Sequence, residues 1–444
     1  MTEANECNSA SRKVSVAVEQ DTARLLECVH KRLQLAAESG CKGIRSLSNM
    51  RRGERPMRLG QVFDPRANAL NAWRLVLASG VILWHSFPLT GRMPWAPFVQ
   101  LLGLGCVDGF FAVSGYLIVS SWLRNPHPAQ YFTARCLRIL PGLWICLVLT
   151  AFVIAPIGVG AQGGSAAKLL MSGAPIEYVL KNSAVWMFKF DIGGTPRDIP
   201  VAGIWNGSLW TLGWEVLCYI GVAVFGMLGL LSRRWFVPGI LILALSWSVF
   251  LPAWGGIHAI ASNAARFAVM FSAGALLYQF RNVIPARWSF VAVGLIIVVV
   301  SSAVLPNYRL VAALPMAYLI IASGSLIHNQ RMRFRTDLSY GVYIYAFPIQ
   351  QALVLCGFAE INPIAFCAIS VAAILPLAAL SWFLVEKPAL SWKSRLRRKN
   401  SSIALANMED GGSVGRSNDI PGRRARFIGE KAEDPPAPSP KPAL

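Results

Sequence analysis

Long apolar runs are the feature that most constrains how this chain folds. About ten runs follow one another from residue 69 onward, each close to the roughly 20 residues that a helix needs to cross a bilayer. Only 14% of the residues are charged, whereas soluble proteins carry about 25%. Because a backbone in lipid must satisfy its own hydrogen bonds, the sequence predicts an all-α polytopic membrane protein. The predicted spans cover residues 69–87, 99–123, 139–159, 208–231, 235–251, 259–280, 288–305, 309–328, 338–358 and 363–385.

The basic residues between these runs predict the orientation of the chain. Lys and Arg concentrate in every second loop and in both tails, while the other short loops are nearly free of them. The positive-inside rule therefore places both termini in the cytoplasm, and an even number of spans agrees with this. This distribution explains the net charge of +20 better than nucleic-acid binding does. The first apolar run begins near Ala69, so we expect a retained helix of the cell (inner) membrane and not a cleaved signal peptide.

Composition divides the chain into three predicted regions. Residues 1–66 form a polar cytoplasmic extension, and its residues 18–37 have an amphipathic pattern. Residues 67–390 form the membrane domain, which includes a long outer loop with either a functional or a simply connecting role. Residues 391–444 are basic at first and then rich in Ser, Gly and Pro, which predicts a disordered cytoplasmic tail. The nine cysteines show no paired spacing, so neither a metal site nor a disulfide framework is predicted.

Few ionisable residues lie inside the predicted spans, and such residues are costly in lipid, which makes them candidates for a functional site. Arg74 and His85 share the first span and are 11 residues apart. Both side chains therefore lie on one helix face, about 16 Å apart along the axis. Asp108, Glu215 and Arg266 lie about 10–13 Å below the outer ends of their spans. These depths predict that His85 and the three other residues can meet in the outer half of the membrane.

Each of these residues also has a purely structural interpretation. Arg266 would make a buried acid tolerable by pairing with Asp108 or Glu215. Asp108 would serve as a hydrogen-bond partner in a helix contact that includes Gly115. His85 would be an interfacial residue near the end of its helix. The residues by themselves leave both interpretations open.

Two combinations of residues suggest chemistry. A histidine beside a carboxylate can remove the proton of a hydroxyl group, which makes His85, with Glu215 and Asp108, the candidate catalytic set. Arg135 and Arg138 form a basic pair before the third span. Guanidinium groups suit phosphate, although ordinary positive-inside charge explains the pair equally well.

Taken together, these residues resemble the membrane-bound acyltransferase 3 family over about residues 67–390. Arg74 and His85 match its Arg-x10-His pattern, and ARCLRILP, with Arg135 and Arg138, is similar to its Arg-x-x-Arg motif. Five further segments look like the family's. In chain order they are VDGFFAVSGYLI at 107–118, NGSLWTLGWEVLCY at 206–219, RFAVMFSAG at 266–274, DLSYGVYIYAFP at 337–348 and VEKP at 385–388.

The resemblance implies an O-acetyltransferase that moves an acyl group, usually acetyl, from cytoplasmic acyl-CoA to an exported, cell-surface or lipid-linked carbohydrate. It implies that His85 is catalytic, that Arg135 and Arg138 hold the CoA phosphates, and that Arg74 steers the arm of the cofactor. It implies no metal, and the oligomeric state stays open. The supporting positions are Ser114, Trp210 and Arg266.

One departure and two other function classes qualify this expectation. Many family members have a histidine where Ala346 stands, so no second histidine role is expected here.

A transporter or flippase for a glycan or lipid would use the buried charges as a relay. Such a protein would show matched halves with broken helices near the midplane, and no such pair is evident. A scaffold for glycan assembly would tolerate the loss of His85. The acyltransferase is therefore the favoured function.

Overall fold

Helices make up the regular secondary structure of this chain wherever its structure is described. A computed structural model describes residues 57–65, 67–250, 257–334 and 336–392. Within these residues there are only isolated bridges and no strands, so the all-α prediction is confirmed for them.

Two predictions about the ends of the chain lie outside the described residues. They are the amphipathic stretch at 18–37 and the disordered tail, of which only residues 391–392 are described. The boundaries of the three predicted regions therefore stay predictions.

Ten helices of at least 15 residues occur in the described part of the chain, and each overlaps one predicted span. They are α1 (Leu70–Leu89), α2 (Cys106–Arg124), α3 (Pro128–Leu149), α4 (Trp210–Met227), α5 (Phe236–Phe250), α6 (Ile257–Gln279), α7 (Trp288–Val304), α8 (Arg309–Leu326), α9 (Ser339–Leu355) and α10 (Pro363–Ser381). Shorter α-helices cover Leu59–Val62, Ala96–Gln100, Ala155–Ala161, Ala166–Met171 and Ala174–Asn182. The last two give the predicted outer loop local structure.

Six helical stretches of the described residues are long and apolar enough to cross a membrane. They are Phe98–Arg124, Pro128–Ala161, Trp210–Met227, Ile260–Gln279, Arg309–Leu326 and Pro363–Trp392. The apolar helices α5 and α7 are shorter. These lengths and compositions support a membrane protein, whereas ten spans and the orientation of the termini stay predictions.

Helix α3 begins at Pro128, well before the predicted start of the third span at residue 139. Proline is favoured in the first turn of a helix because the N–H that it lacks would be unpaired there. The helix therefore includes Arg135 and Arg138, which the sequence pattern placed in the preceding loop. Being three residues apart, the two arginines start from neighbouring positions on one side of α3.

Helices α2 and α6 pack backbone against backbone at two glycines. A Cβ atom on Gly115 would lie 1.9 Å from the carbonyl oxygen of Phe271. A Cβ atom on Gly274 would lie 1.8 Å from the carbonyl oxygen of Ala112. In lipid, such close packing is a main source of helix association, because helices gain little there from burying apolar surface. The contact fixes how α2 and α6 sit together, and both helices carry predicted site residues.

We expect Gly115→Ala to lower the free energy of unfolding by about 1–3 kcal/mol, because the added methyl group forces the two helices apart. Gly239→Ala in α5 is the matched control, since among the described residues no heavy atom beyond its chain neighbours and the backbone of its own helix lies within 4 Å of the Cβ added there. Thermal unfolding of both purified variants in the same detergent measures the difference. Equal transition temperatures would contradict the prediction.

Candidate active site

An ion-paired cluster joins three elements at the start of α9. Arg74 of α1 and Arg138 of α3 both donate to Oδ2 of Asp337, at 2.5 Å and 2.6 Å. Ser339, the first residue of α9, donates to Oδ1 from its hydroxyl at 2.5 Å and from its backbone N–H at 3.3 Å. Glu386 lies further away, with Oε2 3.9 Å from Nη1 of Arg138. One carboxylate thus contacts two of the three arginines that the resemblance assigns to CoA.

The charge of Asp337 depends on these arginines. Asp337 is buried and lies in the segment that precedes α9. Burial, the largest influence, acts to raise the pKa of this carboxyl, but Arg138 and Arg74 outweigh it and hold the pKa to about 2. A carboxyl with a lowered pKa stabilises the fold above its ordinary pKa and loses that contribution only as the pH falls towards 2. Asp337 is therefore ionised at every physiological pH.

A small cavity of about 40 Å³ is bordered by residues of α1, α2, α4 and α9. Three predicted site residues, Arg74, Ser114 and Glu215, line it. Oε1 of Glu215 accepts hydrogen bonds from the hydroxyl groups of Ser114 at 3.0 Å and Tyr219 at 2.5 Å. The other lining residues are Val107, Phe110, Phe111, Thr211, Leu212, Ser339, Tyr340 and Tyr343. An apolar wall with a few converging polar groups is typical of a small-molecule site.

His85 is not among the residues that line this cavity. Its ring packs edge-on against Phe347, with the centroids 5.0 Å apart and the planes at 82°. Phe347 follows the cavity residue Tyr343 by four positions, so the two lie one turn apart on one face of α9. Nδ1 of His85 is buried and has no hydrogen-bond partner among the described residues. Buried polar atoms without a partner are rare, and this one is available to a group that enters the site.

The depths predicted from the sequence allowed Asp108, Glu215 and Arg266 to meet near His85. In the structure these ionisable residues belong to separate clusters. Oδ1 of Asp108 accepts from Nε of Arg266 at 2.8 Å, and Oδ2 accepts from Nε of Arg309 at 2.6 Å. The hydroxyl of Tyr308 also donates to Oδ2. Asp108 is fully buried, and the side chains of Arg266 and Arg309 are each 11% exposed. Within the described ranges no hydrogen bond or ion pair links this cluster to His85 or to the carboxylate in the cavity.

The two arginines of the Arg-x-x-Arg motif have different surroundings. Arg138 pairs with Asp337. The guanidinium of Arg135 instead lies over the ring of Tyr131, 3.9 Å from its centroid, and donates to the carbonyl oxygen of the same residue at 3.1 Å. Nε of Arg135 is buried without a hydrogen-bond partner in the described part of the chain. Arg135 therefore keeps an unused donor at Nε, whereas Arg138 gives one of its donors to Asp337.

Some residues of these clusters were not among the sequence candidates. Asp337 is the first residue of the DLSYGVYIYAFP segment, and an acid directly before an apolar run was the available signal for it. Arg309 is the first residue of the predicted span 309–328, and hydropathy alone does not indicate its pairing with Asp108. The supporting residue Trp210 begins α4 and packs against Phe267, with their ring centroids 5.7 Å apart, and it is not among the cavity-lining residues.

Comparison with known proteins bears on what this arrangement does. The family model described as an acyltransferase domain matches residues 67–383. An O-acetyl transferase of Shigella phage Sf6 is 29% identical over 359 residues, which is 74% of this chain and 98% of that protein. Nodulation protein 10 of Rhizobium leguminosarum bv. viciae is 25% identical over 379 residues, or 76% of this chain and 97% of that protein. No solved structure matches the chain. The match covers most of the chain and confirms the resemblance to this family, so the protein belongs to the acyltransferase 3 family.

Proposed function

We propose that the protein transfers an acyl group, with acetyl the expected one, from acyl-CoA to a hydroxyl of an exported, cell-surface or lipid-linked carbohydrate. Its similarity to a protein named O-acetyl transferase supports acetyl transfer to oxygen. The observation that carries the proposal is α1, a continuous helix that holds Arg74 at the cavity and His85 about 16 Å further along. This separation suits a long donor whose phosphates and acyl group are bound at different points.

The proposed orientation follows from the distribution of charge. The ten long helices cross the cytoplasmic membrane of a bacterium, with both termini in the cytoplasm, because Lys and Arg concentrate in alternate loops. The cluster of Arg74, Asp337 and Arg138 then lies on the cytoplasmic side, where the donor is available. His85 lies in the outer half, where an exported acceptor can reach it.

His85 is the proposed general base. One imidazole nitrogen takes the proton of the acceptor hydroxyl while that oxygen attacks the carbonyl carbon of the thioester. The carbon–sulfur bond breaks, and the thiolate of CoA takes up the proton from the imidazolium. In a second possible order, His85 itself accepts the acyl group and then passes it to the hydroxyl. Trapping an acyl-histidine in the absence of acceptor distinguishes the two orders.

The other polar groups receive separate proposed roles. Arg135 is the first contact for a donor phosphate, since it has an unused donor and a planar guanidinium that suits phosphate. Glu215 contacts the substrate through Oε2, because two hydroxyl groups already occupy Oε1. Asp108 and Arg266 are assigned a structural role, because they pair with each other inside the helix bundle.

The test is transfer of label from radiolabelled acetyl-CoA to the glycans and glycolipids of membranes that contain the protein. We expect labelled product from which mild alkali releases acetate, because an O-acetyl ester is cleaved under those conditions. Membranes that lack the protein are the control. Absence of labelled product with several acyl chains and acceptor preparations, together with no binding of acyl-CoA by the purified protein, would contradict the proposal.

A further inference from the structure

We infer that Asp337 is a positioning residue for the donor: its carboxylate holds Arg74 and Arg138 as a pair, with their remaining N–H groups available to the phosphates of acyl-CoA. This inference rests on the proposed function and deepens it. Sequence reasoning gave Asp337 no role.

Asp337 holds the two arginines close together. Both arginines donate to the same oxygen, at 2.5 Å and 2.6 Å, so the two donor nitrogens lie no more than about 5 Å apart. The other carboxylate oxygen is held by Ser339, which prevents the carboxylate from turning away. A guanidinium has five N–H groups, and Asp337 occupies one of them on each arginine. The arginines are thus placed by the acid and retain donors for a second anion.

The negative charge of Asp337 also favours this arrangement. Arg74 and Arg138 belong to different helices, and two like charges this close repel each other. The negative charge of Asp337 offsets that repulsion, yet the three residues together keep a net positive charge. Glu386 approaches Arg138 only to 3.9 Å, at the nitrogen that Asp337 does not contact. Without Asp337, the arginines are expected to separate and to present a weaker, less ordered site to a phosphate.

The cluster lies at the wall of the cavity. Arg74 and Ser339 both line the cavity. Tyr340, another lining residue, lies under the guanidinium of Arg138, 5.6 Å from its ring centroid. A donor bound by its phosphates at this cluster therefore has the cavity beside it for its apolar arm. Asp337 affects the reaction through the two arginines and needs no contact with the reacting atoms.

The test compares two donors, acetyl-CoA and acetyl-pantetheine, which carries the same thioester without phosphates. We expect Asp337→Asn to lower kcat/KM for acetyl-CoA at least about tenfold more than kcat/KM for acetyl-pantetheine, mainly through KM. The reason is that only acetyl-CoA uses the phosphate contacts. Asp337→Glu keeps the charge and is expected to restore part of the preference for acetyl-CoA. Glu177→Gln, at an exposed ion pair of the outer loop, is the control and should affect both donors alike.

Each outcome is decisive. An equal loss with both donors would mean that Asp337 only supports the fold, and it would overturn the inference. If Asp337→Asn yields no folded protein, Ser339→Ala keeps every charge and loosens only the carboxylate. In that variant we expect kcat/KM to fall more for acetyl-CoA than for acetyl-pantetheine, by a smaller factor than in Asp337→Asn. An equal fall with both donors would again overturn the inference. Failure of the proposed function is distinguishable, because the unchanged protein would then transfer acetyl from neither donor.

Discussion

Replacement of His85 by alanine is expected to lower kcat for acetyl transfer by about 100- to 10,000-fold, the range that a positioned general base contributes. Among the described residues, Nδ1 of the imidazole is buried without a hydrogen-bond partner, and His85→Ala removes the proposed acceptor of the hydroxyl proton. Because Arg74 lies about 16 Å away on α1, KM for acetyl-CoA should change little. Initial rates at saturating acceptor, measured on purified protein, give both constants.

His127→Ala is the control for this experiment. His127 is exposed, precedes the first residue of α3, and has no role in the proposed reaction. We expect the His127→Ala protein to have the same kcat as the unchanged protein. If His85→Ala folds normally by thermal unfolding and still transfers acetyl at the normal rate, then His85 is not the base. The enzyme assignment would survive that result, and Glu215 would become the candidate.

Replacement of Asp108 by asparagine is expected to lower the free energy of unfolding by about 3–5 kcal/mol. The carboxylate pairs with Arg266 at 2.8 Å and with Arg309 at 2.6 Å, and it is fully buried. Asparagine leaves both guanidinium groups inside the bundle without a counter-charge. Thermal and denaturant unfolding in one detergent measure the loss.

Asp191→Asn is the matched control for Asp108→Asn. The side chain of Asp191 is 31% exposed and lies 3.5 Å from Lys189, so its replacement should cost less than about 1 kcal/mol. The fraction of the Asp108→Asn protein that folds should retain its kcat, because no hydrogen bond or ion pair in the described part of the chain links Asp108 to His85. A lower kcat with unchanged unfolding would reverse this interpretation and make Asp108 a catalytic residue.

Much of the fold was predictable because its signals are local. Apolar length and flanking polar residues predicted a helix at the position of each of the ten long helices. Their ends were harder to predict. Helix α3 begins at Pro128, a residue type that is favoured in the first turn of a helix. The helix then includes a polar stretch that carries Arg135 and Arg138. Hydropathy alone does not detect such an extension.

The candidate site was predictable only in part. Arg74 and His85 lie on one continuous helix, so their separation along the axis follows from residue spacing. The depth estimate correctly allowed Arg266 to reach Asp108, but it also allowed both to reach His85. Depth is one coordinate, and the rotation of each helix depends on what it packs against. Close glycine contacts such as the one at Gly115 determine that rotation.

The sequence by itself determined the helical class, the membrane character and the family, and it named Arg74, Arg138, Asp108 and Arg266 as site candidates. These properties depend on residue type and on spacing within one segment. Only the tertiary structure decided how the charges pair: Asp108 with Arg266 and Arg309, and Asp337 with Arg74 and Arg138. Ion pairs between helices depend on relative rotation and on contacts between residues far apart in the chain. Spacing within a single segment carries no information about either.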